Sequence, residues 1–308
     1  MIHVACGVLQ RADGKVLLAQ RPRGKIAAGR WEFPGGKIEA GEQPLHALVR
    51  ELDEELGIHV EQARPLIRYR HEYSDRSVLL DTWLVSRFRG EPHGRENQAL
   101  AWVAPAALKD WPDTLPTVAP SARAVNLPVH YVFTRPSATV EQVMQGLPQL
   151  PPTCLLRLRF PQLSDADYAR AAQQILPAAQ KLGLRVVLDH TADQACVLGA
   201  NGWHASEASM LQMRTRAAPG PALQLASCHS AQALRHAVSI GFDAVVMGSV
   251  QATATHPSWT MLGWDGFAEA IQYSGVPAYA IGGAGPAQLE TAFAAYGQGV
   301  AGISAYWN

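Results

Sequence analysis

The 308-residue chain has no surplus of charge, since 26 Lys and Arg balance 26 Asp and Glu. A protein that grips a nucleic-acid polymer through bulk positive charge needs a basic excess, so that class is set aside. Cysteine is scarce as well. Cys6, Cys154, Cys196 and Cys228 lie far apart and form no CxxC pair, which argues against a disulfide framework or zinc site and fits a reducing cytoplasm. No basic region followed by an apolar run opens the chain, and its longest uncharged stretches are interrupted by Gly, Pro, Thr or Gln. Neither a leader nor a bilayer span is therefore expected, and no membrane partner. Charge is also missing locally: residues 1–128 carry 17 basic and 16 acidic residues, leaving 9 and 10 for the longer stretch 129–308. A surface so poor in charge is expected to be covered, by the first half or by a second copy of the chain.

What is present divides at the same place. The length suits two domains, and the 48% of hydrophobic residues suffices for two cores. Pro112, Pro116, Pro120 and Pro128 punctuate the stretch between the halves, which reads as an extended linker ending near residue 128. In the first half, Val4–Leu9 and Val16–Gln20 flank Ala12-Asp13-Gly14, the signal of a hairpin. Leu45, Leu48, Leu52 and Leu56 recur at helical spacing and Gly57 stops the helix. Further strands are expected at Leu66–Glu72, Val78–Ser86 and Leu100–Val103. In the second half, short apolar runs starting at His130, Leu155, Arg185, Gly202, Gln224, Ala244, Ala278 and Gly299 alternate with helix-length segments. That rhythm predicts a compact parallel (β/α)8 barrel with some short helices.

The chemistry lies in Gly36–Ile58. Glu51, Glu54 and Glu55 stand at i, i+3 and i+4, on one side of a helix, where like charges repel unless a cation intervenes. Oxygen ligands of this kind suit a hard divalent ion. Arg50 can orient a carboxylate of the same cluster, Gly35-Gly36 lets backbone approach a metal or phosphate, and Pro44 suits a first helical turn.

This spacing (Gly, five residues, Glu, seven residues, Arg-Glu-aliphatic-any-Glu-Glu-any-Gly-aliphatic) resembles the Nudix box at every position. The resemblance covers about residues 1–126 and implies an α+β Nudix αβα sandwich. Trp31 to Glu39, Gln20-Arg21, Ser74-Asp75-Arg76 and Gly90 to Glu96 resemble the MutT branch, the 8-oxo-dGTP diphosphatases. What this implies is attack of water on a nucleoside triphosphate, giving monophosphate and pyrophosphate and clearing oxidised nucleotides before they enter DNA. It also implies Mg²⁺ or Mn²⁺ held by Glu51, Glu54, Glu55, Glu96 and the Gly35 carbonyl, with Glu51 or Glu96 as general base. Arg21, Arg23, Lys37 and Arg76 become substrate-binding candidates, and Phe33 or Trp31 candidates to stack on the base. One position departs. The branch reads its base with an asparagine where this chain has Leu115, which cannot hydrogen-bond; Asn126 is the nearest amide that could substitute.

Residues 129–308 resemble the thiamin-phosphate synthase and TenI barrels, through Leu156–Arg159, Ala200–His204, Ser227–Ser230, Met247–Ser249 and Ala280–Gly283. The implied site takes a phosphate-bearing ligand at the carboxyl ends of the strands, with Arg159, His229, Gly248, Gly282 and Gly283 as candidates. The synthase's Gln-Leu-Arg-Glu-Lys run is replaced by Arg157–Pro161 and its Asn-Asp pair by Asp189-His190, and its second metal aspartate falls near Ser209. Three readings stay open: a nucleotide-pool hydrolase with an altered barrel, a bifunctional enzyme of thiamin metabolism, or a hydrolase carrying a binding module.

Overall fold

A computed structural model of the chain describes residues 1–252 and 261–307. It divides into two compact units, Met1–Leu127 with Gln272–Gly275, and Pro128–Ile271 with Val276–Asn308.

The first unit contains β1 (Ile2–Leu9), β2 (Val16–Gln20), β3 (Trp31–Glu32), β4 (Gly35–Lys37), α1 (Pro44–Leu56), β5 (His59–Glu72), β6 (Ser77–Arg89), β7 (Leu100–Val103) and α2 (Val118–Asn126). One mixed sheet has the order β4-β1-β6-β5, and a second has the order β3-β2-β7. The two strands expected to form a hairpin therefore part into different sheets. The turn is present, with Gly14 at φ +80° donating to the Arg11 carbonyl, but only Gln10 and Val16 pair across it. Both edges of β1 are already taken, by β4 antiparallel and by β6 parallel, which leaves β2 to pair with β7 and β3.

Helix α1 begins at Pro44 and ends at Gly57, whose φ of +68° closes it. It packs Ala47, Leu48, Leu52 and Leu56 against Ala5, Leu9, Leu17 and Val85. Leu45 falls off this stripe and is 36% exposed. The approach to the sheet is close at Gly7, where a Cβ would stand 3.0 Å from Leu52 Cδ1.

The expected extended linker is a helix instead. Residues 118–126 form α2, and Val118, Ala122 and Ala124 join the core with Val8, Val16, Leu66 and Val103. Pro120 lies in the first turn, where no intrahelical donor is needed, so it does not obstruct the helix.

The second unit is a closed barrel of eight parallel strands in the order β10-β11-β12-β13-β14-β15-β8-β9. The strands are β8 (His130–Phe133), β9 (Leu155–Leu158), β10 (Arg185–Leu188), β11 (Gly202–Ala205), β12 (Leu223–Cys228), β13 (Ala244–Gly248), β14 (Ala278–Ile281) and β15 (Gly299–Gly302). Between them run α3 (Val140–Gly146), α4 (Asp165–Lys181), α5 (Ala192–Val197), α6 (Glu207–Gln212), α7 (Ala231–Ile240), α8 (Gly263–Ile271) and α9 (Leu289–Ala294). Helices α5, α6 and α9 have six residues each, the economy a short chain imposes on this fold. The interior is filled by Tyr131, Tyr279 and His204, each 0% exposed. No described helix is long and apolar enough to cross a membrane.

Candidate active site

The register of β1 against β4 sets Gly35 beside Cys6 and Gly36 beside Ala5. Gly35, at φ +143°, lies so close that a Cβ would stand 2.2 Å from the Ala5 carbonyl oxygen. A Cβ on Gly36 would meet the Glu51 carboxylate, 2.2 Å from Oε2. The double glycine thus opens a cradle into which α1 delivers its carboxylates. Gly35 N–H donates to Glu55 Oε2 at 3.1 Å.

Rotation about α1 decides which glutamates reach the cleft. Residues four apart overlap on a helix, whereas the i+3 position swings to the flank. Glu51 and Glu55 line the cleft, while Glu54 is 59% exposed and accepts from Arg50 at 3.4 Å. Arg50 binds Glu42 through two nitrogens at 2.9 and 3.0 Å, Glu51 at 2.7 Å and the Lys37 carbonyl at 3.0 Å. Its guanidinium holds the Glu42 carboxyl down at about 2. Arg50 is therefore the post that fixes Glu51 against the glycine strand.

Glu96 arrives from the loop before β7, ion-paired with Lys25 at 2.5 Å. Gln98 steadies that loop, accepting from Glu96 N–H at 2.8 Å and donating to the Glu55 carbonyl at 3.1 Å. Burial pushes the Glu55 carboxyl up to about 7, and the nearby charges of Glu32 and Glu96 add to the rise. Among the described residues no three acidic, imidazole or thiol groups converge on one point. The donors nonetheless suit a hard divalent ion: half-buried carboxylates of like sign, a glycine backbone and a cradle shaped around one of them.

These groups line a cleft of about 1320 Å³ together with Arg21, Phe33, Lys37, Arg76 and Leu115. Arg50, Glu54, Arg23 and Trp31, all expected there, stand outside its lining. Glu54 sits on the helix flank, and Arg23 is exposed just before the turn at Gly24, whose φ is +89°. Arg21 binds both oxygens of Glu32, at 2.6 and 2.7 Å. Burial raises the Glu32 carboxyl, and Arg21 opposes that shift. Leu115 is held by its own N–H to the Trp31 carbonyl at 2.8 Å, and Trp31 meets Trp111 edge-on at 5.8 Å. Phe33, Val78, Leu80 and Val118, which share one core cluster, line the cleft along with Leu115. Asn126 does not reach it: its amide donates to the Pro105 carbonyl at 3.1 Å. Lys25 and Gln98 were not singled out from the sequence, and Glu42 stood in the box without a role of its own. Glu32 stood in a motif run without a role, and nothing near Lys25 signals a partner 71 positions away.

In the barrel, the candidates lie at the carboxyl ends of strands. Arg157, only 9% exposed, is ion-paired with Asp189 and lies over the Phe133 ring at 4.6 Å. Arg159 follows it, half-buried, its charge disfavoured by burial and by Arg157. His229 Nδ1 lies 3.0 Å from Glu207 Oε2. The glycines make room for the protein itself: a Cβ on Gly248 would stand 2.3 Å from the Ile281 carbonyl oxygen, on Gly282 1.9 Å from Ser249 Oγ, and on Gly283 2.9 Å from Gln251 Cβ. Asp189 is engaged by Arg157, His190 lies 3.1 Å from Asp165 and stacks on Tyr168, and Ser209 bonds Ser206. These partners do not fit a divalent metal at this mouth.

Residues 5–119 match the NUDIX domain family and residues 131–306 match the thiamine monophosphate synthase family. The chain belongs to both families, one in each half. It is 44% identical over 112 residues to the CTP pyrophosphohydrolase of Escherichia coli, covering 36% of this chain and 82% of that one. It is 43% identical over 108 residues to the 8-oxo-dGTP diphosphatase of Haemophilus influenzae, covering 35% of this chain and 79% of that one. A solved thiamine phosphate pyrophosphorylase from Pyrococcus furiosus is 21% identical, covering 57% of this chain and 85% of that one, with a TM-score of 0.47. The Nudix sandwich and the closed barrel expected from the sequence are thus both present.

Proposed function

We propose that the Nudix half is a nucleoside triphosphate pyrophosphohydrolase that depends on Mg²⁺ or Mn²⁺ and clears damaged nucleotides of the 8-oxo-dGTP type. The observation that carries this is the lining of one cleft. Glu51, Glu55 and Glu96 gather at the glycine cradle, Arg21, Lys37 and Arg76 line the same cleft, and Leu115 with Phe33 adds apolar lining. A nucleoside triphosphate has the matching parts: phosphates for the cationic side chains, and a base for the apolar lining.

Glu51, Glu55, Glu96 and the Gly35 carbonyl would hold the divalent ion, with Glu54 drawn in from the flank. Such an ion supplies charge neutralisation at the phosphates and a more acidic attacking water. Glu51 or Glu96 takes the proton of the water that attacks the β-phosphorus. The bond from that phosphorus to the oxygen bridging to the α-phosphorus breaks, the monophosphate leaves, and pyrophosphate carries the new oxygen. Arg50 keeps Glu51 in register, and the cationic side chains bind the phosphate oxygens.

Base choice follows from Leu115. A site that hydrogen-bonds its substrate rejects the analogue lacking that group by several powers of ten, while apolar contact yields roughly 10–200-fold. The relatives point the same way, one named for CTP and another for 8-oxo-dGTP. A panel of CTP, dGTP and 8-oxo-dGTP, scored for monophosphate release, tests the reading. Release is expected with metal and not in excess chelator, with 8-oxo-dGTP preferred over dGTP in kcat/KM by no more than about 200-fold. Turnover in chelator would overturn the metal assignment, and a larger preference would show that a polar group reads the base.

The barrel is read as an altered member of its family rather than a working synthase, because the pair Asp189-His190 is engaged within the protein, Asp189 by Arg157 and His190 by Asp165.

A further inference from the structure

The loop between β2 and β3 carries Lys25 toward the carboxylates. It is a self-contained flap. Gly24 and Gly29 adopt φ of +89° and +84°, Ala28 N–H donates to the Lys25 carbonyl at 3.1 Å, and Gly29 N–H donates to the Arg21 carbonyl at 3.0 Å. Arg21 Nε holds the Ile26 carbonyl at 2.7 Å and Gln20 holds that of Gly29 at 2.8 Å. These bonds fix the flap's shape at its base. At its tip, Lys25 Nζ meets Glu96 Oε2 at 2.5 Å, an ion pair with side chains 45% and 40% exposed. Gly24, Lys25, Ile26 and Ala27 all line the same cleft as Gly35, Glu51 and Glu55.

We propose that Lys25 is a transferable counter-ion, pairing with Glu96 until a polyphosphate enters and then moving to the phosphates, so that Glu96 is released to the divalent ion. An ammonium on Glu96 cancels the charge of one of the few carboxylates that a divalent ion can use. Lysine suits this role because its charge is compact and its four-carbon stem is flexible, whereas a planar guanidinium would hold the carboxylate by two bonds. The substrate offers Lys25 a stronger anion than a single carboxylate. Metal and ammonium thus compete for Glu96 without substrate, and cooperate once substrate is present. The inference rests on the Nudix cleft being a metal-dependent pyrophosphohydrolase site.

The test is Mn²⁺ binding to the full chain, read by electron paramagnetic resonance of the free ion, for wild type, Lys25→Ala, Glu96→Gln and the double variant. Without nucleotide, Lys25→Ala is expected to bind Mn²⁺ about two- to fivefold more tightly, the range of a half-exposed ion pair. That gain should vanish in the Glu96→Gln background, the signature of a direct coupling. In steady-state turnover, Lys25→Ala should raise KM about tenfold through one lost charge-assisted phosphate contact, and Lys25→Arg should restore much of it. Unchanged or weaker Mn²⁺ binding by Lys25→Ala, or a gain that persists beside Glu96→Gln, would overturn the inference and leave the reading of the cleft standing. Failure of the wild-type chain to bind Mn²⁺ would overturn both.

Discussion

At the scale of single residues, burial sets the chemistry more than residue type does. Glu55 and Glu54 are neighbours, yet one is pushed up toward neutrality inside the cleft and the other lies 59% exposed on the helix flank. His204 shows the same effect in the barrel. It is fully buried, with the Tyr131 hydroxyl 2.9 Å from Nδ1 and the Ser227 hydroxyl 2.9 Å from Nε2. Burial, with Arg157 and Arg159 nearby, drives its pKa well below the ordinary 6.5. The unfolded chain therefore binds a proton below 6.5 that the folded chain refuses. Its contribution to stability is complete above that pH and is lost as pH falls, with a slope of up to about 1.4 kcal/mol per pH unit. Denaturant unfolding of the full chain at pH 7, 6 and 5 should show this loss, and His204→Gln should flatten it. An equal slope in the variant would disprove the assignment.

At the scale of elements, legibility followed periodicity. Helix α1 was readable from its leucine spacing and from Pro44 and Gly57, because those signals act within one turn of chain. The barrel strands were readable because a buried parallel strand is a short apolar run wherever it occurs. Pairing was not readable. The Ala12-Asp13-Gly14 turn predicts a hairpin, but β1 has β4 and β6 on its edges, and those partners come from 29–33 and 76 positions away. Nor was α2, since recurrent prolines signal extended chain unless one of them happens to fall in a first turn. The close contact of α1 with β1 gives a test at this scale. Gly7→Val would drive methyl groups into Leu52 and Leu48, whose Cδ1 atoms lie 3.0 and 3.2 Å from the position of a Cβ. Overpacking of this kind costs about 1–3 kcal/mol, so the Nudix half should unfold at lower denaturant. A midpoint equal to that of wild type would show that the helix shifts without penalty.

At the scale of the whole molecule, two families meet in one chain, and each half keeps its own core. In the barrel, Arg157 and Asp189 form an internal ion pair, with side chains 10% and 17% exposed. Removing one partner of such a pair leaves a charge uncompensated, a loss of about 3–5 kcal/mol. Asp189→Asn should therefore lower the unfolding midpoint of the barrel while nucleotide hydrolysis persists at wild-type rate. An unshifted midpoint would mean that solvent compensates Arg157. By itself the sequence determined the two families and the box of carboxylates, because each is written in local spacing. Only the tertiary structure decided that Glu54 leaves the cleft, that Asn126 serves Pro105, and that Lys25 meets Glu96. Those outcomes depend on helix rotation, strand register and loop closure, which bring together side chains that are remote in the chain and carry no mark of one another.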